Sequence, residues 1–405
     1  MAVGPERKVS IAPIEGIRLA AVESEIRYAN RLDLVLIEIA EGSATAGVFT
    51  QNAFCAAPVS IARQRVENSA SRYFLINTGN ANAGTGPEGE LAAIACCDGL
   101  AEIARTSSAQ ILPFSTGVIG EQLPFGKILV ALPALYEALS ADAWRSAAQG
   151  ILTTDTRPKL ASASFTANGS QASISGFAKG SGMIRPNMAT MLAYVFTDAQ
   201  IERPLLENFL DNAVNNSFNR ITVDGDTSTN DCCMLVATGK GSFVVTDTDS
   251  EAARQFQSEL NAVFEQLATD LIRDAEGASK FITIEVNEGA SGQECLAVAY
   301  TVAESPLIKT AFFASDPNWG RILAAIGRAG LNNLDIESVT VALGDTLLVS
   351  KGAVDAAYRE SAGQAEMDKD EIRVQINLGR GKASERVWTS DLSNEYVRIN
   401  ADYRS

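Results

Sequence analysis

Histidine is absent from this sequence of 405 residues. Its absence excludes Ser-His-Asp and Cys-His catalysis, as well as zinc sites built on imidazole ligands. It also removes the side chain that enzymes use most often as a base near neutral pH. If the chain is an enzyme, its base must be a lysine, a carboxylate or a free α-amine, whose pKa is about 8.

Cysteine is scarce and is not arranged for metal binding or redox chemistry. The six cysteines form no C-x-x-C motif, which excludes a zinc ribbon and a thioredoxin-like motif. Adjacent cysteines rarely bridge each other, so we expect small buried side chains in a reducing compartment. These residues are Cys55, Cys96, Cys97, Cys232, Cys233 and Cys295.

Long apolar runs and an excess of positive charge are missing too. No apolar stretch approaches the ~20 residues of a membrane span, and residues 1–15 lack the apolar segment of a signal peptide. The 49 acidic residues outnumber the 33 basic ones, for a net charge of -16, and such a surface repels phosphate backbones and anionic lipids. We therefore expect a cytoplasmic protein without nucleic-acid or membrane partners.

The apolar pattern predicts strands and helices without regular βαβ alternation. This mixture favours a layered α/β sandwich over a doubly wound sheet, and the length allows two or three domains. Strands dominate from Phe281 onward, so we predict a larger domain over residues 1–280 and a smaller α/β domain over residues 281–405. The predicted strands are 32–39, 73–77, 172–177, 191–196, 281–286, 297–302, 339–343 and 372–378, and the predicted helices are 91–104, 205–218, 251–274 and 319–329.

Two segments resemble binding motifs only superficially. Gly84, Gly86 and Gly89 match G-x-G-x-x-G, but residues 78–83 separate them from the preceding strand, whereas a dinucleotide fingerprint closes the turn directly. The aspartate-rich run over residues 224–231 lacks the glutamate and glycine that a calcium loop requires. We interpret both segments as hydrogen-bonded loops.

A glycine-rich segment that runs into an apolar strand carries the chemistry. Within residues 179–192, the small residue Ala189 precedes Thr190 at the junction of loop and strand. Such a junction suits an N-to-O acyl shift, and cleavage there would leave the Thr190 α-amine beside its own hydroxyl as a base. On spacing alone, a buried threonine at the start of a strand remains the more common explanation.

Seven segments, in the same order along essentially the whole chain, resemble the bifunctional ornithine acetyltransferase/N-acetylglutamate synthase family of arginine biosynthesis. The departures, Arg185 and the Cys232-Cys233 pair, touch no residue to which the family assigns a role. The matching segments are 77–82 (NTGNAN), 115–120 (STGVIG), 153–156 (TTDT), 179–192 (KGSGMIRPNMATML), 222–231 (TVDGDTSTND), 315–321 (SDPNWGR) and 396–403 (YVRINADY).

The resemblance implies a self-processing acetyltransferase with a threonine nucleophile, an αββα sandwich as its catalytic domain and a smaller C-terminal α/β domain. Thr190 is then the nucleophile, exposed by cleavage after Ala189. Thr116 and Gly117 supply the hydroxyl and the N–H of an oxyanion hole, although the residues alone would indicate a plain turn there. The implied substrate-binding residues are Thr153, Lys179, Thr190, Glu276, Asn400 and Ser405.

Two of these residues have a physical rationale and a plainer alternative. Lys179 is a counter-charge for a substrate carboxylate or the anionic intermediate, or it is a solvated loop lysine. Glu276 follows a long helix, whose macrodipole disfavours an anion, so it fits a role in binding the ornithine δ-ammonium; many helix ends nevertheless carry such an acid. Asn400 and Ser405 matter only if the polar C-terminal tail folds over the site.

The family implies a ping-pong reaction through an acyl-enzyme, from N-acetylornithine to glutamate, without a metal or an organic cofactor. Some relatives also accept acetyl-CoA as donor, and the sequence leaves that open. It also leaves open whether the Thr190 amine or Lys179 is the base. The implied partners are the two cleavage fragments, in an (αβ)2 heterotetramer. Two alternatives stand: an N-terminal-nucleophile aminopeptidase or amidase, and an uncleaved binding protein.

Overall fold

The structure is a computed structural model that describes residues 2–167, 169–185 and 191–402. These residues divide into two compact units. The larger unit comprises the described residues of Arg7–Asn219 and Thr227–Leu271, and the smaller comprises Arg220–Asp226 with the described residues of Met1–Glu6 and Ile272–Ser405. The domain division at residue 280 stays a prediction.

Strands and helices alternate irregularly along the chain. The helices are α1 Ala57–Asn68, α2 Gly86–Ala104, α3 Phe125–Glu137, α4 Trp144–Gly150, α5 Arg203–Asn216, α6 Glu251–Arg273, α7 Gly292–Ala303, α8 Pro306–Phe313, α9 Trp319–Gly327, α10 Glu360–Met367 and α11 Asn394–Ala401. The strands are β1 Ile17–Val22, β2 Leu34–Ile39, β3 Ala44–Phe49, β4 Tyr73–Asn80, β5 Ile111–Val118, β6 Lys159–Ala167, β7 Ser170–Lys179, β8 Leu192–Thr197, β9 Gln200–Ile201, β10 Ile221–Thr222, β11 Cys232–Ala237, β12 Val244–Val245, β13 Phe281–Gly289, β14 Thr340–Leu343, β15 Thr346–Ser350, β16 Ala353–Val354, β17 Glu371–Asn377 and β18 Ala383–Ser390.

Two sheets form the centre of the larger unit. One has the strand order β1-β2-β4-β5 and the other the order β3-β11-β8-β7-β6. Their facing side chains share one buried core, in which Tyr194 of β8 packs on Phe114 of β5 and Phe177 of β7, with ring centroids 5.4 and 5.6 Å apart. Alternating apolar residues along each strand supply this core, because successive side chains point to opposite faces.

Helices cover the outer face of each sheet. Residues of α2 and α3, including Cys97 and Leu132, pack on the outward side chains of β2, β4 and β5. On the other sheet, Phe256 of α6 contacts Phe209 of α5 and Phe165 of β6, with ring centroids 5.0 and 6.5 Å apart. The layers are therefore helix, sheet, sheet and helix, which confirms the predicted αββα sandwich. All six cysteines are free thiols, and all but Cys55 are buried.

The smaller unit has one mixed sheet with helices packed on it. Its strand order is β10-β18-β13-β17-β14-β15-β16, and α7, α8 and α9 contribute to a single core against the sheet. The predicted strand over residues 297–302 is wrong, because this segment belongs to α7. The buried residues Cys295, Val298, Ala299 and Val302 have helical spacing, and the Ser291 hydroxyl caps the helix by accepting from the Glu294 N–H at 3.2 Å.

Candidate active site

β4 and β5 end in similar sequences, residues 77–79 (NTG) and residues 115–117 (STG), which lie side by side. These strands are parallel, and their register pairs Asn77 with Ser115 and Thr78 with Thr116. The Ser115 hydroxyl donates to the Asn77 side-chain oxygen at 2.5 Å, and the Thr78 hydroxyl donates to the Gly150 carbonyl at 2.7 Å. Hydrogen bonds from polar side chains therefore hold the carboxyl ends of both strands in place inside the sandwich.

Position 117 accepts only glycine. Gly117 has φ +137°, a conformation that L side chains rarely adopt. A Cβ at this position would lie 2.5 Å from the Asn80 backbone nitrogen and closer still to the carbonyl carbon of Gly79. The backbones of β4 and β5 thus approach each other with no room for a side chain, directly after Thr116.

Lys179 brings three of the predicted site residues together. It lies at the end of β7, and its ammonium group donates to the hydroxyls of Thr116 and Thr153, each at 3.0 Å. Its exposed fraction is 8%, so it is a buried cation and the solvated-loop alternative is wrong. Since Thr116 belongs to the other sheet, the ammonium group bridges the two sheets of the sandwich.

A carboxylate that the sequence did not single out holds the loops around Lys179. Asp155 forms an ion pair with Lys159 and accepts hydrogen bonds from the Gly180 N–H at 2.8 Å and the Thr153 N–H at 3.1 Å. Burial alone would raise the pKa of Asp155, but the charges of Lys159 and Lys179 outweigh it and hold this pKa well below its usual range. Asp155 is therefore an anion at neutral pH.

The second half of the aspartate-rich run also enters the site. Asn230 donates to the carbonyls of Ala81 and Ser115 at 2.5 and 2.9 Å. Asp231 is buried, and in the described part of the chain its Oδ2 atom accepts no hydrogen bond. Burial raises the pKa of Asp231 well above its usual range, although Ser228 and Lys179 act in the opposite direction. The matching of this run to the family was the only sequence signal for either residue.

Glu276 and Asn400 meet within the smaller unit. The Asn400 amide donates to Glu276 Oε2 at 2.7 Å, and Glu276 is 6% exposed. The start of α11 packs on the turn at Gly277. The Ser393 hydroxyl, just before α11, donates to the Gly277 carbonyl at 2.6 Å, and a Cβ at Gly277 would lie only 2.5 Å from the Tyr396 backbone nitrogen. The tail therefore folds on the turn that carries Glu276, as far as it is described.

The remaining predicted site residues, Ala189, Thr190 and Ser405, lie outside the described residues. Within residues 2–167, 169–185 and 191–402, no group of three or more cysteine, aspartate or glutamate side chains is placed to hold a metal ion. In the same ranges, every helix is too short or too polar to cross a membrane.

Comparison with known proteins gives matches over the whole length. A model of the ArgJ family matches residues 18–405. The arginine biosynthesis bifunctional protein ArgJ of Pseudomonas fluorescens (strain Pf0-1) is 53% identical over 408 residues, which cover 100% of both chains. The crystal structure of the arginine biosynthesis bifunctional protein ArgJ of Bacillus halodurans has 36% identity and a TM-score of 0.48, over 51% of this chain and 96% of that one. The ornithine acetyltransferase of Mycobacterium tuberculosis, solved in complex with ornithine, has 31% identity and a TM-score of 0.40, over 44% of this chain and 94% of that one.

Proposed function

The chain belongs to the ArgJ family, and from this premise we propose that it transfers acetyl groups from N-acetylornithine to glutamate through an acyl-enzyme on Thr190. Its full-length relatives are bifunctional proteins of arginine biosynthesis, and we assign this chain to the same pathway. The observation that carries the proposal is the buried ammonium group of Lys179, which joins the hydroxyls of Thr116 and Thr153 at the interior of the sandwich.

In the first half-reaction, the Thr190 hydroxyl attacks the acetyl carbonyl of N-acetylornithine. A carbon–oxygen bond forms, the carbon–nitrogen bond to ornithine breaks, and the hydroxyl proton passes through the Thr190 α-amine to the leaving amine. Thr116 and Gly117 stabilise the oxyanion. The Thr116 oxygen accepts a hydrogen bond from Lys179, so its own proton is left to donate, and one such donor contributes about 3 kcal/mol to transition-state stabilisation.

In the second half-reaction, glutamate occupies the same pocket and its amine attacks the Thr190 ester. A carbon–nitrogen bond forms, the ester carbon–oxygen bond breaks, and a proton from the glutamate amine passes through the Thr190 α-amine to the threonine oxygen, so that N-acetylglutamate leaves and the hydroxyl is restored. Acetyl-CoA can serve as a second donor, which is the other activity of a bifunctional enzyme. No organic cofactor is required, because the covalent ester itself activates the acetyl group.

The substrates are charged at both ends, and the site residues offer complementary charges. Lys179 binds the α-carboxylate, with Thr153 as a neighbouring hydrogen-bond partner. Glu276 and Asn400 bind the ornithine δ-ammonium together with Ser405. Glu276 is buried and accepts a hydrogen bond from the Asn400 amide, so the two polar groups assigned to the δ-ammonium already lie together, and this supports the assignment.

Cleavage between Ala189 and Thr190 makes the nucleophile an N-terminal residue. We expect the two fragments to stay together as an (αβ)2 heterotetramer. The sandwich within residues 1–280 supplies the chemistry, and residues 281–405 contribute the tail. The full-length family match does not favour the aminopeptidase or amidase alternative.

One assay with parallel reactions tests the proposal. The purified protein is given N-acetylornithine with glutamate, acetyl-CoA with glutamate, or N-acetylornithine alone, and the products are identified by mass spectrometry. We expect N-acetylglutamate in the first two reactions and none after Thr190→Ala. Release of acetate from N-acetylornithine at the same rate with and without glutamate would identify a hydrolase and overturn the proposal.

A further inference from the structure

We infer that the Asp155–Lys159 ion pair positions Lys179 and keeps it charged as an ammonium ion during the reaction. The inference rests on the proposed function, in which a cation at Lys179 binds the carboxylate of the substrate. It assigns a task to two residues that take no part in the transfer itself.

The first argument is the location of the Asp155 carboxylate. It accepts hydrogen bonds from the backbone of Thr153 and from the backbone of Gly180, the residue that follows Lys179. A second contact, between the hydroxyls of Thr154 and Ser181 at 2.6 Å, joins the same two segments. One carboxylate thus fixes the backbone on both sides of the hydrogen bond between Lys179 and Thr153.

The second argument is burial. The side chains of Asp155 and Lys159 are 0% and 1% exposed. Removing two charges from water costs several kcal/mol per ion, and replacing such a pair by apolar residues is often neutral or stabilising. Stability therefore does not explain the pair, whereas a place beside a reactive site does.

The third argument is the balance of charge around Lys179. Asp155 and Asp231 both interact electrostatically with Lys179, and Asp155 also interacts with Lys159. Burial favours the neutral acid of Asp231, whereas Asp155 is ionised. Of these two carboxyl groups, Asp155 is therefore the anion that acts on Lys179, and Lys159 orients it.

The test uses substitutions that change the charge on Lys179 in opposite directions. Asp155→Asn removes the anion, so Lys179 should lose its proton at a lower pH, and the KM for glutamate should begin to rise about one pH unit earlier on the alkaline side. Lys159→Met removes the second cation beside Asp155. In this variant, the KM for glutamate should stay constant at least up to the pH at which it begins to rise in the wild type. The double variant Asp155→Asn/Lys159→Met, which leaves no unpaired buried charge, should fall between them.

Each outcome decides the inference. An alkaline rise in KM that is unmoved in a folded Asp155→Asn variant would overturn it, and so would shifts of the same sign in both single variants. If Asp155→Asn does not fold, the double variant is compared with Lys159→Met, from which it differs only by the loss of the Asp155 carboxylate. Its KM should begin to rise at a lower pH than that of Lys159→Met, and equal onsets would overturn the inference. Losses of kcat that follow thermal stability alone, with no change in the pH dependence of KM, indicate a purely structural pair. A wild type that makes no N-acetylglutamate refutes the proposed function instead.

Discussion

The ammonium nitrogen of Lys179 lies 3.0 Å from the hydroxyl oxygen of Thr116, across the interior of the sandwich. A hydroxyl that accepts from a cation is polarised and becomes a stronger donor to a third group. In the proposed mechanism, this one hydrogen bond would couple carboxylate binding by Lys179 to oxyanion stabilisation by Thr116. Substitutions at the two positions should be non-additive when combined.

Thr116→Ala should lower kcat by about 100- to 1,000-fold with little change in KM, because the contact strengthens only as charge develops on the acetyl oxygen. Steady-state kinetics with N-acetylornithine and glutamate measure both constants. Thr116→Ser is the matched control, since it keeps the hydroxyl. A raised KM at unchanged kcat would make Thr116 a ground-state binder and remove it from the oxyanion hole.

Gly117→Ala should destabilise the protein by about 3 kcal/mol or more, because the added methyl group meets the backbone of β4 and the residue keeps φ +137°. Urea denaturation measures the change in the free energy of unfolding. Gly126→Ala is the control: it lies in α3, where an added Cβ meets no atom within 4 Å apart from its chain neighbours and the backbone of its own helix, and alanine should stabilise that helix slightly. Equal effects of the two substitutions would contradict the steric argument.

Cleavage should occur between Ala189 and Thr190 and depend on the threonine hydroxyl. Intact-mass analysis of the purified protein should show two fragments. Thr190→Ala should give one uncleaved and inactive chain, whereas Thr190→Ser should retain part of both functions. A single full-length species in an active preparation would rule out the mechanism.

The α-amine of Thr190 should appear as one ionisation in the kcat/KM profile, near or somewhat below pH about 8, with activity rising as the pH increases through it. The Lys179→Met variant distinguishes the two candidate bases, the Thr190 α-amine and Lys179. The ammonium group of Lys179 donates to two hydroxyls, an arrangement that suits a hydrogen-bond donor rather than a base. If the ionisation persists and shifts upward, the amine is the base and Lys179 its electrostatic neighbour. If it disappears while cleavage is intact, Lys179 is the base.

Lys309 should make the protein more stable in alkali. Burial lowers the pKa of Lys309 to about 8, against about 10.4 in an unfolded chain. Below pH 8 the folded state carries the full cost of a buried cation, and that cost fades as the pH rises toward 10.4. Wild type should therefore gain about 3 kcal/mol relative to Lys309→Met between pH 7 and 10.5 in denaturant titrations. The exposed Lys382→Met should show no such difference, and parallel curves for all three proteins would contradict the prediction.

Local periodicity predicted seven of the eighteen strands and four of the eleven helices in the described part of the chain. The helix predicted over residues 251–274 is α6, Glu251–Arg273, because apolar residues such as Phe256, Leu260 and Phe264 recur on one buried face. The strand predicted over residues 32–39 is β2, Leu34–Ile39. The segment over residues 297–302 was mistaken for a strand because its apolar run is short, and only the residues before it reveal the helical period.

The sequence could not predict those contacts of the site that depend on how the loops fold. The family resemblance named Thr116, Thr153 and Lys179, and the structure brings these residues together. It gave no reason to single out the Asp155–Lys159 pair, because the spacing of four residues here joins a loop to the first residue of a strand rather than two turns of a helix. The Asp155 carboxylate binds the Gly180 N–H because the chain passes close to Asp155 again at Gly180. Sequence spacing does not predict this contact.

Because β7 pairs with β8, cleavage between these strands would change the molecularity of folding. A break between residues 189 and 190 falls between these strands, yet Lys179 pairs with Leu192 and Phe177 with Tyr194 across them. The two product chains would then share one sheet and one core, so that complete unfolding releases two molecules instead of one. Dilution leaves the stability of an uncut chain unchanged, but it should lower that of the cut protein, whose refolding becomes a second-order reaction.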